Sequence, residues 1–185
     1  FVPSSSSGPR FIADAADFGK NLHWDVHGPW RPPGATEDDW RRYWADDDAL
    51  FRSELGAPGA SPPDVIAARA GNAPATPGHA DNPLWSAQRW WIDWPDLQTE
   101  HGREPADLAE YVRWSQARQA AALRLAVAAC KRRFPAIGGV ILWMGHDAFP
   151  CMVNTAILDF HGRPKPAALA VAEVFRTPAE EIAPT

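Results

Sequence analysis

Basic blocks, cysteines and long apolar runs are all scarce in this sequence, and each scarcity excludes a class of protein. The 185 residues carry 18 Lys and Arg against 23 Asp and Glu, a net charge of -5 at pH 7, with no block of basic residues. That balance argues against nucleic acid as a partner. No apolar run approaches the roughly 18 residues that a transmembrane helix needs. We therefore expect no membrane partner either.

Cysteine is too rare for a disulfide framework or a metal-binding knuckle, because only Cys130 and Cys151 are present. We expect two separate buried thiols, with a single bridge between them as the alternative. The sequence predicts no metal site and no cofactor. It begins at Phe1 and Val2, which read as the end of a strand before the serine-rich segment 4–7, so we expect a piece of a longer protein. Its compartment is therefore unknown.

Tryptophan, in contrast, is abundant, with 10 residues in a chain whose length suits one domain. For any single tryptophan, core packing is the simplest explanation. Loops that combine indoles with carboxylates are also typical of sugar sites, because the C–H face of a pyranose stacks on an aromatic ring while its hydroxyls bind polar groups. We favour a ligand contact for Trp24 and Trp143, because each lies near the end of a predicted strand.

Strand and helix signals alternate along the chain, which predicts right-handed βαβ units and a parallel sheet. About three strand–helix units are present, too few to close an eight-stranded barrel. Thr36 is a predicted helix N-cap and Gly71 a predicted helix stop. The segment 72–104 is irregular, with one helical stretch near 83–91. Strands are predicted at 21–30, 49–54 and 140–144, the last fully buried, and helices at 35–47, 61–71, 104–133 and 165–175.

Glu54 is the first candidate for chemistry, because it ends the apolar strand "LFRSELG" at residues 50–56. Burying a charge is costly unless the charge is paired or used. A carboxylate at the carboxyl end of a strand is where α/β barrels hold their catalytic groups. The alternatives are a solvated glutamate at the strand end and an ion pair with Arg52.

His23, Asp25 and His27 form a second candidate group in "NLHWDVHGPW" at residues 21–30. On a strand, alternate residues point to the same face, so these three side chains are predicted to line one wall of a pocket. A polar network at the rim, without function, is the alternative.

His146 and Asp147 follow the third predicted strand, shortly after Trp143. The tripeptide Gly-His-Asp also occurs in metal-dependent phosphohydrolases, but there the His-Asp pair lies within a helix. Here a strand and the nearby Pro150 surround the pair, which disfavours a metal site.

Three motifs together resemble the last strands of the catalytic barrel of glycoside hydrolase family 2, and in particular its β-mannosidase-like branch. They are "NLHWDVHGPW", "FRSELG" and the segment that runs from "GGVILWMGHDAFP" to "ILDFHGRPKPAA". The resemblance implies an α/β fold that is the C-terminal part of a (β/α)8 TIM barrel, about strands 5/6 to 8 with their helices. That barrel portion would cover residues 1–176, and 177–185 would begin a linker.

The resemblance also implies a function. The chain would belong to a retaining exo-glycoside hydrolase that acts on β-glycosides by double displacement, with Glu54 as nucleophile and a carbohydrate as substrate. The acid/base glutamate of the family follows an asparagine, and the sequence has no Asn-Glu pair. We therefore expect it upstream, in the missing N-terminal half of the barrel with its β domains, and expect this piece alone to be inactive. The implied sugar-binding residues are His23, Trp24, Asp25, Trp143, His146 and Asp147.

Two departures from the family bear on specificity. His23 takes the place of a tyrosine that hydrogen-bonds the nucleophile, and as a donor it can make the same bond. His146 takes the place of an asparagine. Both changes motivate an alternative from another class, a non-catalytic carbohydrate-binding barrel derived from the same family.

Overall fold

Helices alternate with short strands along the chain in a computed structural model, which describes residues 4–182. The strands are β1 (Val26–His27), β2 (Arg52–Leu55), β3 (Gly59–Ala60), β4 (Val140–Leu142) and β5 (Val153–Asn154). The helices are α1 (Glu37–Asp46), α2 (Pro63–Ala70), α3 (Trp94–His101), α4 (Leu108–Arg132) and α5 (Pro166–Arg176). Short 3-10 turns occupy Ala15–Asp17, Ser86–Gln88 and Ala179–Glu181.

The chain divides into two compact units. The first comprises residues 4–57, 122–143 and 170–182, and the second comprises 58–121 and 144–169. The barrel portion predicted over 1–176 and the linker predicted from 177 stay predictions. The 3-10 turn Ala179–Glu181 lies in the predicted linker. The strand end expected at Phe1 and Val2, and residues 183–185 of the linker, fall outside the described residues.

A parallel three-stranded sheet with the order β1-β2-β4 organises the first unit. His27 is the register partner of Glu54, and Leu55 is the partner of Leu142. Parallel strands bring their carboxyl ends to the same edge of a sheet. The predicted parallel sheet is confirmed for β1, β2 and β4, whereas β3 and β5 pair antiparallel in the second unit. The eight-stranded barrel stays a prediction.

Two predicted strands are shorter than expected. Only Val26–His27 of the segment 21–30 pairs as a strand, because loop segments bind the residues before it: Leu50 N–H donates to His23 O, and Gly8 N–H donates to Asp25 O. The strand predicted at 140–144 ends at Leu142.

The prediction that this last strand is fully buried is wrong. Ile141 is 52% exposed, because within residues 4–182 β4 pairs with β2 alone. Met144, with a left-handed φ of 58°, lies just beyond the strand.

Local signals place most of the helices correctly. Thr36 caps α1 in a capping box, since Asp39 N–H donates to Thr36 Oγ1 (3.2 Å) and Asp39 Oδ2 accepts from Thr36 N–H (2.9 Å). Helix α2, predicted over 61–71, has Pro62 as its N-cap residue and ends at Gly71 as predicted.

Helix α3 was missed, because proline and tryptophan make its region read as a loop. Pro95 lies in its first turn, where a proline is tolerated, and Gly102 ends it in the left-handed conformation. It lies in the second unit, where Trp85, Trp94 and Tyr111 belong to a buried aromatic core.

Cys130 and Cys151 are free and buried, as predicted. Burial raises the pKa of Cys130 to about 12 and that of Cys151 to about 11. Both thiols are therefore protonated at neutral pH, which disfavours nucleophilic or metal-binding roles.

Among the helices described, none is both long enough and apolar enough to cross a membrane.

Candidate active site

Glu54 lies near the carboxyl end of β2, the central strand of the parallel sheet. Its side chain is 15% exposed, and its backbone carbonyl accepts a hydrogen bond from Gly28 N–H (2.8 Å). The proposed ion pair with Arg52 is wrong, because Arg52 instead binds Asp47 (Nη2–Oδ1, 2.5 Å). Arg52 and Glu54 are two residues apart, so on a regular strand their side chains would lie on the same face. The register of β1 against β2 shifts between these positions, where Val26 pairs with Arg52 and His27 with Glu54.

His27 is the residue that contacts Glu54. Its Nε2 is 3.5 Å from Glu54 Oε1 and 2.9 Å from Ser5 Oγ. The imidazole is buried, with its ring centroid 4.6 Å from that of Phe11 and 6.1 Å from that of Trp30, both in edge-to-face orientation. These contacts hold the imidazole beside the carboxylate.

His23 does not make the contact with the nucleophile that the resemblance implied. Its Nδ1 is 2.6 Å from Asp48 Oδ1, and its Nε2 accepts from Asp14 N–H at 3.4 Å. The ring is also buried. Both nitrogens are therefore engaged within the protein, and the expected hydrogen bond from His23 to Glu54 is not formed. His27, four residues later, lies beside Glu54 instead.

Asp25 has its own set of partners. Ser53 Oγ donates to its Oδ1, while Ser7 donates to its Oδ2 from both N–H (2.9 Å) and Oγ (3.1 Å). Asp25 thus ties the serine-rich segment to the residue that precedes Glu54. The predicted common face of His23, Asp25 and His27 is not observed as a cluster, since each binds a different group.

Two tryptophans adjoin the strands of this sheet. Trp24, just before β1, is 51% exposed, and its Nε1–H donates to Asn21 O (3.0 Å), which anchors the ring. Trp143 follows β4, and its backbone N–H donates to Leu55 O (2.7 Å). That hydrogen bond places Trp143 at the same edge of the sheet as Glu54.

Trp30, which sequence reasoning did not single out, also belongs to this region. Its Nε1 is buried and has no hydrogen-bond partner within residues 4–182. Buried polar groups are normally paired. The only sequence signal for Trp30 is its place in the motif at 21–30, three residues after His27.

A buried ion network that includes Arg52 of β2 supports the site. Asp47 binds Arg52 and also Arg133 (Nη1–Oδ2, 2.6 Å), and Arg52 Nη1 donates to Gly28 O, the carbonyl next to His27. The Arg52 guanidinium lies 4.9 Å from the centroid of Trp44. Burial lowers the pKa of Arg52 but the charge of Asp47 raises it, with a net rise, so the guanidinium stays charged.

His146 and Asp147 belong to the second unit. His146 is exposed, with a backbone bridge to Leu158. Asp147 is buried, and its Oδ1 accepts from Asn154 Nδ2 (3.2 Å) while its Oδ2 lies 3.5 Å from Lys165 Nζ. The internal partners of Asp147 point to a structural function, and the predicted sugar contacts of both residues stay predictions.

The part of the chain from residue 4 to residue 182 holds no group of three or more His, Cys, Asp or Glu side chains placed to bind a metal ion.

No protein-family model and no curated protein matches this sequence. Among solved structures, the chain is similar to the β-D-mannosidase from Dictyoglomus thermophilum, with a TM-score of 0.59 and 19% sequence identity. The match covers 74% of this chain but only 17% of the mannosidase chain. At this identity the likeness concerns the fold alone: a mixed α/β fold that resembles part of a glycosidase.

Proposed function

We propose that this chain is part of a retaining glycoside hydrolase that acts on β-mannosides or related β-glycosides, with Glu54 as its nucleophile. The observation that carries the proposal is the place of Glu54: it lies near the carboxyl end of the central parallel strand, partly exposed, beside His27. In α/β barrels, catalytic groups occupy this edge of the sheet. The likeness of fold to a β-mannosidase supports the proposal.

Retaining hydrolysis needs two carboxyl groups about 5 Å apart. In the first step a Glu54 oxygen attacks the anomeric carbon, forming an ester, while a carboxylic acid protonates the departing oxygen. In the second step that group, now a carboxylate, takes a proton from water, whose oxygen displaces Glu54. We assign only the nucleophile to this chain and expect the acid/base elsewhere in the intact enzyme.

The sugar contacts of the proposal come from one exposed indole and from half-buried aromatic and polar groups. Trp24 offers a half-exposed indole held by Asn21, and Trp143 follows the neighbouring strand at the edge that carries Glu54. Asp25 anchors the serine-rich segment, and the buried His23 binds Asp48. Stacking on indoles and hydrogen bonding to hydroxyls are complementary forms of sugar recognition.

A mannosyl fluoride with a second fluorine at C2 tests the nucleophile without the acid/base. Attack by Glu54 forms the bond between a carboxylate oxygen and C1 and breaks the C1–F bond, releasing fluoride, which needs no proton to depart. The C2 fluorine slows hydrolysis of the resulting ester. We expect intact-mass spectrometry to show one added 2-fluoromannosyl group, and peptide mapping to place it on Glu54.

The matched controls are Glu54→Gln and Glu37→Gln. Glu37 is an exposed carboxylate on α1 that pairs with Arg41, so its variant should react like the unmodified chain, whereas Glu54→Gln should not react. Mannoside binding without an adduct would indicate the non-catalytic carbohydrate-binding protein instead. An adduct on a carboxylate other than Glu54 would remove Glu54 from the mechanism.

A further inference from the structure

An exposed serine shares one histidine nitrogen with the candidate nucleophile. Ser5 Oγ is 2.9 Å from His27 Nε2, and the same nitrogen is 3.5 Å from Glu54 Oε1. The His27 side chain is 5% exposed and that of Glu54 15%, whereas Ser5 is an exposed residue. The three side chains thus lead from the nucleophile to the protein surface.

The charge of Glu54 decides which way the shared hydrogen bond runs. A neutral imidazole nitrogen either carries a proton and donates, or has a lone pair and accepts. A lone pair on Nε2 would face the negative oxygen of Glu54, whereas a proton there would be attracted by it. The carboxylate therefore favours the Nε2–H form of His27. In that form His27 donates, and the Ser5 oxygen accepts.

This direction leaves the hydroxyl proton of Ser5 available. A serine hydroxyl has one proton to donate and two lone pairs to accept with. Since His27 occupies a lone pair, the proton is free to point elsewhere. Ser5 is exposed, so a bound ligand at this edge of the sheet can accept that proton.

We propose that Ser5 binds the glycoside by donating its hydroxyl proton to a sugar hydroxyl, and that His27 is the positioning residue that orients Ser5 and Glu54 through one Nε2–H. The identity of the ligand rests on the proposed function. The position of the His27 proton does not, because it follows from the arrangement of Ser5, His27 and Glu54 alone.

Nitrogen NMR of the isotopically labelled chain, followed by titration with methyl β-D-mannoside, tests both parts. Near neutral pH, the His27 ring should carry its proton on Nε2 in the unmodified chain. It should do so in Ser5→Ala too, because Glu54 remains. Ser5→Ala should bind the mannoside about five- to tenfold more weakly, the effect of one lost hydrogen bond. Ser5→Thr, which restores a hydroxyl, should bind within about twofold of the unmodified chain.

Ser4→Ala is the matched control, because Ser4 is a neighbouring exposed serine whose hydroxyl donates to Ser6 O at 3.4 Å and not to His27. It should change neither the His27 proton nor the binding. A His27 proton on Nδ1 in the unmodified chain would overturn the inference, as would equal binding by the unmodified chain and Ser5→Ala. Absence of mannoside binding by every variant would overturn the sugar contact together with the proposed function, even with the His27 proton on Nε2.

Discussion

Asp47 of the first unit and Asp93 of the second are both buried, but with different kinds of partner. In the first unit, Asp47 pairs with both Arg52 and Arg133, so opposite charges compensate one another within one network. In the second unit, Asp93 is fully buried and accepts hydrogen bonds from Tyr111 and Ser115, each at 2.6 Å. The charge of Asp47 raises the pKa of Arg52, whereas burial raises the pKa of Asp93 and so favours its protonated form.

The Asp47 network and Asp93 also support different parts of the molecule. The network of the first unit includes Arg52, a residue of the strand that carries Glu54, and it binds the carbonyl of Gly28 beside His27. Asp93 holds Ser115 of α4, whose hydroxyl in turn accepts from Ala60 N–H (2.8 Å). A charged network thus supports the candidate site, whereas hydroxyl contacts in the second unit connect helix α4 to strand β3.

The largest expected effect comes from removing the charge of Asp47. Asp47→Asn leaves the fully buried Arg52 without its counter-charge and weakens the hold on Arg133. Breaking a buried pair in this way typically costs about 3–5 kcal/mol of unfolding free energy. Urea unfolding monitored by tryptophan fluorescence measures it. The exposed neighbour Asp46 provides the control, and Asp46→Asn should change the free energy by less than about 0.5 kcal/mol. Equal changes in the unfolding free energy of the two variants would mean that the network contributes little to stability.

Lys165→Met tests the second unit in the same way. Lys165 Nζ donates to Gly59 O (3.0 Å) and lies 3.5 Å from Asp147, so its loss should cost about 3 kcal/mol. Adding Asp147→Asn should recover part of that loss, because a neutral side chain needs no cation. A double-mutant cycle by chemical unfolding gives the coupling. Strictly additive effects would contradict the pairing of Asp147 with Lys165.

Asp93→Asn should have an effect that depends on pH. Burial raises the pKa of Asp93, although hydrogen bonds from Ser115 and Tyr111 oppose the rise. A carboxyl group with a raised pKa in the folded state contributes stability below its unfolded pKa, and that stability is lost as pH rises through the folded pKa. Asparagine does not titrate, so the stability of the variant relative to that of the unmodified chain should rise as the pH rises from about 4 to about 7. Thermal unfolding across this pH range measures the difference. Parallel plots of melting temperature against pH for the two proteins would count against a raised pKa of Asp93.

The smallest expected effect on stability belongs to Glu54. Glu54→Gln removes a partly exposed charge that has no arginine or lysine within ion-pair distance among the described residues, so the unfolding free energy should stay within about 0.5 kcal/mol or rise slightly. A loss as large as that of Asp47→Asn would make Glu54 a structural residue and would weaken the proposed function.

Glu54 and the histidines show how far the sequence predicts the site. A carboxylate at the end of an apolar segment indicated Glu54. The structure places it near the end of the central strand, while its catalytic role stays a prediction. The resemblance to the glycosidase family implied His23 as the contact of Glu54, although His27 makes it. Both histidines belong to one motif with the same residue type, and no local pattern distinguishes them. The choice depends on which residue of β1 lies opposite Glu54.

The fold, like the site, has some features that local sequence sets and others that tertiary contacts set. By itself, the sequence determined the features that arise from neighbours in the chain: the capping box of Thr36, the end of α2 at Gly71, and the alternation of strands and helices. Only the tertiary structure decided the register of β1 against β2, the exposure of Ile141 and the partners of Arg52. The physical reason is range: caps and periodicity depend on residues within a few positions, whereas register and ion pairing depend on segments brought together by folding.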